Sequence, residues 1–245
     1  MERITSTSNP KIKKLLSLRK RSVRYEEQLF LVEGLHLTEE AHKNNLLDLV
    51  LSTDESLLNK FNNTKQILVN DLVINKLSTT STPQNIMGVV KMKKPELSTS
   101  NIYIVLDDVN DPGNFGTIIR TSLALGVKDI IVSLNTVDEY NEKTLRATQG
   151  AIFQANIIRM DLKDAYQKLK EQNITIITTS LDAKKELKDL SKLEKFAVVL
   201  GNEARGISDI SKSFSNESII IPLKNNIESL NVAVAFGIVL YNLTH

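Results

Sequence analysis

The stretch Ile220-Ile221-Pro222-Leu223-Lys224-Asn225-Asn226-Ile227-Glu228-Ser229-Leu230-Asn231-Val232-Ala233-Val234-Ala235-Phe236 carries the reading of this chain. Its β-branched start reads as a buried strand closed by a proline, which cannot donate to a strand ladder. A polar loop follows, and then an apolar helix over about 232–243. Ser229 and Asn231 stand where that helix starts, and side chains of these types accept bonds from free backbone N–H groups. A strand feeding a polar loop and a helix N-terminus is a common ligand cradle. On this stretch alone, an ordinary capped helix is an equally good reading.

Two further stretches repeat the pattern. One is Leu106-Asp107-Asp108-Val109-Asn110-Asp111-Pro112-Gly113-Asn114-Phe115-Gly116-Thr117-Ile118-Ile119-Arg120-Thr121, and the other is Val198-Val199-Leu200-Gly201-Asn202-Glu203-Ala204-Arg205-Gly206-Ile207-Ser208. Each is an apolar strand, then a loop of glycine, asparagine and acid, then a helix. In an open parallel sheet such loops gather at the carboxyl ends of the strands, where ligands bind. In order and spacing, the three stretches resemble the three motifs of the SpoU (TrmH-like) branch of the SPOUT RNA 2′-O-ribose methyltransferases. The resemblance runs from Leu106 to Phe236. It implies a C-terminal SPOUT domain with a trefoil knot, S-adenosylmethionine as cofactor, RNA as substrate and a homodimer.

The 245 residues suffice for one large domain or two ordinary ones. A content of 41% hydrophobic and 24% charged residues fits a globular protein with a real core. No apolar run approaches the roughly 18 residues of a membrane helix, so no span is expected. The absence of cysteine excludes disulfides, thiolate metal sites and a cysteine nucleophile, and it fits a reducing compartment. His36, His42 and His245 are too scattered for a zinc site, so no metal is expected. The net charge of +2 hides an asymmetry: Arg3, Lys11, Lys13, Lys14, Arg19, Lys20, Arg21 and Arg24 crowd the start, with Glu2 as the only acid among them. That is a candidate footprint for a polyanion.

Asn9 and Pro10 read as the N-cap and first-turn proline of a helix through about residue 21, with Ile12, Leu15 and Leu16 on its apolar stripe. A solvated helix face and a mitochondrial transit peptide are the alternatives for its charges. The second is weakened because Phe30-Leu31-Val32-Glu33-Gly34 follows as a strand running directly into a helix at about 35–44. In the resembled family, a basic helix before F-L-V-E-G opens an RNA-binding domain similar to a small ribosomal protein. Strands at 49–51, 66–69 and 87–92, with helices near 55–61 and 71–76, complete an α/β domain over 1–95. The segment 93–100 is polar, holds Pro95 and lacks periodicity, which marks a linker. In the second domain, 100–245, strands are expected at 103–106, 129–133, 174–179, 196–200 and 218–221. Helices are expected at about 115–125, 141–149, 162–172 and 207–213. This alternation predicts a parallel sheet covered on both faces.

Several chemistries are excluded. Gly113-Asn114-Phe115-Gly116 lacks the full G-x-G-x-x-G fingerprint of a dinucleotide site. Gly201 to Gly206 has the glycine spacing of a phosphate loop, but Ile207 stands where lysine is required. Methyl transfer from S-adenosylmethionine asks less of a protein. The sulfonium already activates the methyl group, so the chain must bind the cofactor, align a nucleophile and help it lose a proton. Gly201 permits close backbone approach. Leu200, Ile221 and Leu230 offer an apolar slot for adenine, with core packing as the alternative. In the family, positions matching Gly201, Ile221 and Leu230 contact the cofactor through their backbones, and Asn231 is counted with both the cofactor and the catalytic set.

The nucleophile implied by the resemblance is a ribose 2′-hydroxyl. Arg120, six residues after Asn114, is expected to face the same cleft. In the family the matching arginine activates the hydroxyl with help from a substrate phosphate. Because a guanidinium stays protonated to a pKa above about 12, Arg120 is read here as fixing the phosphate and stabilising the developing alkoxide. Asn114, Glu203, Ser229 and Asn231 match the family's other polar positions and are expected to orient the ribose and Arg120. For Glu203, pairing with Arg205 or a helix N-terminus is the alternative. Where the first motif commonly continues T-A-D-A, this chain has Thr121-Ser122-Leu123-Ala124, which departs at a structural or subunit-contact position. The expected partners are ribosomal RNA, through Lys13, Lys14, Arg19 and Arg21, and a second copy of the chain, in the cytoplasm. Transfer RNA as substrate, or an RNA-binding protein on the same scaffold without catalysis, are the other readings.

Overall fold

Arginine 24 decides how the chain begins. In the computed structural model, which describes residues 1–245 except Leu181 and Asn226, this side chain is only 8% exposed. Its Nη1 donates to the carbonyls of Leu18 at 3.0 Å and Arg19 at 2.7 Å. Those carbonyls are the acceptors a continuing helix would need, so the helix expected to reach residue 21 stops at Ser17 and a second one starts at Arg21.

The chain divides into Met1–Lys94 and Pro95–His245. The first unit runs β1 (Glu2–Ile4), α1 (Pro10–Ser17), α2 (Arg21–Glu27), β2 (Leu29–Glu33), α3 (Leu35–Lys43), β3 (Leu47–Ser52), α4 (Glu55–Leu58), β4 (Lys65–Val69), α5 (Asp71–Leu77) and β5 (Ile86–Lys91). The strand order is β1-β4-β3-β5-β2. β1, β4 and β3 are parallel, while β5 is antiparallel to both β3 and β2. Ile12 and Leu15 of α1 pack with Val73, Ile74 and Leu77 of α5 over Ile67 and Met87 of the sheet. β1 and α2 are not expected from the sequence, and α1 ends at Ser17 instead of about residue 21; the remaining elements of this unit fall close to where the pattern places them.

The second unit runs β6 (Ile102–Asp107), α6 (Pro112–Ala124), β7 (Asp129–Val132), α7 (Glu142–Thr148), β8 (Asn156–Arg159), α8 (Leu162–Glu171), β9 (Thr175–Thr179), β10 (Lys185–Glu186), β11 (Phe196–Gly201), α9 (Asp209–Phe214), β12 (Glu217–Ile220) and α10 (Val232–Thr244). The order is β10-β12-β9-β11-β6-β7-β8, with every neighbouring pair parallel. Parallel strands need crossovers that lay helices on both faces, and all six residues of the central β11 are buried accordingly. Tyr166 and Leu169 of α8 cover Val105, Ile176 and Val199 on one face. α6 packs against α7 and α10. At Gly116 a Cβ would stand 2.5 Å from Ala147 Cβ and 2.6 Å from the Thr144 carbonyl, so only glycine lets α6 and α7 approach this closely. The parallel-sheet expectation is met, with β8 and β10 as additional edge strands.

Candidate active site

The segments following β9, β11 and β12 enclose a cavity of about 350 Å³. Its wall includes Leu200 and Gly201 at the end of β11, Ile221 just past β12, and Ser229, Leu230 and Asn231 ahead of α10; Glu203 stands in the same lining. The volume lies in the range of small-molecule sites, and the mix of an apolar wall with few polar groups is typical of them. The main-chain N–H groups of Ser229 and Leu230 take no partner among the described residues, so they are free to read a ligand's edge. Asn226, within the polar loop read from the sequence, lies outside the described residues. Thr179 and Leu223 also line the cavity and were not singled out from the sequence.

The loop after β11 is tied at both ends. Asn202 and Gly206 bridge each other, N to O at 2.9 and 2.8 Å, and Asn202 Oδ1 accepts from the amides of Ala204 and Arg205 at 3.0 and 3.1 Å. Asn202 Nδ2 donates to the carbonyl of Asp108 at 2.8 Å. Asp108 has a left-handed backbone, φ 59°, a conformation that Asp and Asn tolerate better than most residues. Its Oδ1 accepts from Ser133 Oγ at 2.6 Å, and its Oδ2 lies 3.4 Å from Arg205 Nη2. Arg205 therefore goes to Asp108, not to Glu203.

Glu203 reaches instead to the start of α6. Its carboxylate accepts from the amides of Asn110 at 3.3 Å and Asp111 at 3.2 Å, and from Asn114 Nδ2 at 3.0 Å. Asn114 Oδ1 in turn accepts from Asn231 Nδ2 at 2.9 Å. Asn231 Oδ1 is occupied as the N-cap of α10, accepting from Ala233 and Val234. The polarity of this relay is fixed at both ends. A carboxylate only accepts, so Asn114 must turn its NH2 to Glu203. The capping oxygen of Asn231 leaves only its NH2 for Asn114. Three residues singled out on separate motifs thus form one hydrogen-bonded line at the cavity.

Burial alone would raise the Glu203 carboxyl, but the bonds from Asn114, its own backbone, Asn110 and Asp111 outweigh it and hold it below its ordinary value. A carboxyl lowered in this way is a poor proton acceptor near neutrality and acts by orienting Asn114. Its linkage sign is definite. Stability from Glu203 is full above the ordinary value of 4.5 and is lost as the pH falls through the lowered one. Glu203→Gln should therefore melt slightly below wild type at pH 7, and the gap should close in acid. A gap that stays unchanged as the pH falls well below 4.5 would show that the carboxylate's charge contributes nothing here.

Arg120 does not line this cavity, contrary to the expectation from its spacing. It is exposed in a separate hollow with Thr117 and Thr121 of α6, Leu187, and Gly237, Ile238 and Tyr241 of α10. Six residues turn a helix by about 600°, so Arg120 leaves α6 some 120° away from Asn114 and about 9 Å further along. In the first unit, Lys14 Nζ lies 2.7 Å from Glu27 Oε2, and Arg19 Nη2 donates to the carbonyls of Lys76 and Ser78. Because α1 stops at Ser17, Arg19 falls in a turn facing the end of α5 and fastens it, so it is not a free cation. Lys13 is exposed, and the Arg21 guanidinium lies 5.5 Å above the Tyr25 ring. No group of three or more metal-ligating side chains occurs among the described residues, and no helix of them is long and apolar enough to cross a membrane.

An all-parallel sheet with an apolar cavity and a fixed line of amide and carboxylate groups at its carboxyl edge defines an α/β enzyme domain for a small organic ligand. Residues 101–241 match the SpoU rRNA Methylase family, and residues 9–88 match the MRM3-like substrate binding domain. The chain belongs to the SpoU rRNA methylase family. It is 32% identical over 246 residues to the 23S rRNA (guanosine(2553)-2′-O)-methyltransferase RlmP of Bacillus subtilis, covering 99% of both chains. Over 139 residues it is 32% identical to the 23S rRNA (guanosine-2′-O-)-methyltransferase RlmB of Escherichia coli, 56% of this chain and 57% of that one. The crystal structure of an AdoMet-bound rRNA methyltransferase from Sinorhizobium meliloti matches with a TM-score of 0.90 at 28% identity, over 99% of this chain and 97% of that one.

Proposed function

We propose that this chain methylates a ribose 2′-hydroxyl of ribosomal RNA with S-adenosylmethionine as donor. The observation that carries the reading is the cavity of about 350 Å³ at the strand ends, bordered by the Glu203–Asn114–Asn231 line. The residues present fit the cofactor: Leu200, Ile221 and Leu230 supply an apolar slot, Gly201 a close backbone, and Ser229 and Leu230 amides that take no partner among the described residues. When bound, S-adenosylmethionine supplies a methyl group already activated by its sulfonium. The chain's own task is to hold the ribose hydroxyl in line. Asn114 and Asn231 orient it, and Arg120 holds a substrate phosphate and steadies the developing alkoxide.

We assign the unit 1–95 to RNA binding and 100–245 to the chemistry, with a C-terminal trefoil knot in the second unit as part of the same proposal. A cytoplasmic homodimer completes the proposal. Val234, Ile238 and Tyr241 of α10 are exposed at helical spacing, an apolar stripe that a second copy would cover. Arg120 shares its hollow with Ile238 and Tyr241, so pairing there would bring it to a surface formed by two chains.

The test is transfer of labelled methyl from S-adenosylmethionine to ribosomal and to transfer RNA, with alkaline-resistant linkages mapped in the product. Labelling of transfer RNA alone would move the substrate to that class, and no labelling of either would return the chain to RNA binding without catalysis. In parallel, Lys13→Gln with Arg21→Gln should flatten the salt dependence of RNA binding by about 0.7–0.9 in log–log slope per lost phosphate contact. An unchanged slope would make these two residues a solvated face.

A further inference from the structure

Asp107 is 3% exposed at the carboxyl end of β6, and no cation pairs with it among the described residues. Its Oδ2 accepts from the Ser208 amide at 2.7 Å and from Ser211 Oγ at 2.6 Å. Ser211 is itself fully buried and shares a 2.6 Å hydrogen bond with the phenol of Tyr166, and burial pushes that phenol well above its ordinary range, so it stays neutral. A buried carboxylate is costly unless its oxygens are satisfied, so these bonds hold whatever segment carries them firmly in place. The segment they hold is the far end of the loop that begins at Gly201. Its near end is held by Asn202 on the Asp108 carbonyl, and its middle by Glu203 on the amides before α6. All three anchors come from β6 and the few residues after it.

We propose that Asp107 is a positioning residue for the cofactor: it fixes Ser208, and through it the Gly201–Ile207 wall of the cavity, before any ligand arrives. The inference rests on the cofactor reading given under Proposed function. Beyond the anchors, Ile207 is the one side chain of the loop tip that enters the core, at 7% exposure. Without Asp107 the loop would have to be ordered at the moment of binding, and that cost appears as weaker affinity. The effect should fall on cofactor binding, because Asp107 touches none of the residues assigned to the ribose.

Calorimetric titration of the full chain with S-adenosylhomocysteine tests this. Asp107→Ala should raise Kd by about tenfold or more, as expected for losing bonds to a charged acceptor, and kcat at saturating cofactor should stay within about threefold. Asp107→Asn, whose carbonyl can accept the same two bonds, should recover most of the affinity. Leu169→Ala loosens the same core, which Ile207 also enters, but leaves both Asp107 bonds in place; it should lower the melting temperature and change Kd far less than Asp107→Ala. If Asp107→Ala does not fold, Ser211→Ala removes one of the two donors and should raise Kd in the same direction. Unchanged Kd in the folded Asp107 or Ser211 variant, or an equal rise in Leu169→Ala, would overturn the inference while the wild type still binds. Absence of binding by wild type would overturn the cofactor reading and this inference together.

Discussion

Replacing Arg120 with alanine is expected to slow methyl transfer by about 10²–10³ while the fold and the cofactor affinity stay close to wild type. The side chain is exposed, and the buried side of α6 is made by Phe115, Ile118 and Ile119, so truncation removes no packing. Alanine is the best helix former, which protects α6 itself. Because Arg120 lies outside the cavity, titration with S-adenosylhomocysteine should give an unaltered Kd. Arg120→Lys should recover little, since a point charge cannot reproduce the planar fork on a phosphate. Single-turnover transfer at saturating RNA and cofactor is the measurement, and a variant within about threefold of wild type would move the role toward Asn114 or Asn231.

Gly201→Ala should do the reverse, striking the cofactor and the fold together. A Cβ built there would press on the Gly206 carbonyl oxygen at 2.5 Å, and closer still on Gly206 C and Ile207 N. All three are backbone atoms, and the Asn202–Gly206 bridge keeps them from retreating. The end of β11 and the loop must part. Overpacking of this kind costs about 1–3 kcal/mol, which lowers the melting temperature by several degrees in a chain of this size. Affinity for S-adenosylhomocysteine should fall by about 10² if the whole of that strain is released only when the loop leaves the cavity wall. Titration beside thermal melting decides: a variant that melts lower but binds as wild type would show that the loop can shift without opening the cavity.

These two residues also mark where sequence reading succeeds and fails. Gly201 was legible because its motif places glycine between a β-branched strand and a polar loop, and close approach is the physical reason glycine sits there. Asn114, Glu203 and Asn231 were legible as a set of polar positions, yet nothing in their spacing announced the line of hydrogen bonds that joins them. That line depends on β6 and β11 being neighbours, which is tertiary information. The spacing of Arg120 from Asn114 carries no sign of the helix rotation between them, which turns Arg120 away from the cavity and into the hollow beside α10. Among the elements, β1, β8 and β10 are two to four residues long, below the length at which period-two alternation can be recognised. α2 carries Val23 as its only aliphatic residue and starts after Lys20 without a side-chain cap, so neither its stripe nor its start was signalled. The early stop of α1 was hidden for a different reason: it is caused by a buried arginine taking carbonyls from the next turn, and exposure is the ordinary fate of arginine.

The strand order has a consequence for the route by which the chain reaches this structure. β6 gains one neighbour, β7, after a single helical crossover, and β8 adds to that edge in the same way. Its other edge is filled by β11, which arrives only after β7, β8, β9 and β10 have been made. Contacts between segments far apart in sequence pay loop-closure entropy before they return any stabilisation, so they form late. The β6-β7-β8 half is therefore set to assemble first, and the half that builds the cavity afterwards. During that interval β6, whose Tyr103 to Leu106 are all fully buried in the finished sheet, presents an unpaired apolar edge to whatever is nearby. The same topology that places the loops of β9, β11 and β12 side by side thus leaves the nascent protein open to edge-to-edge association until its last strands arrive.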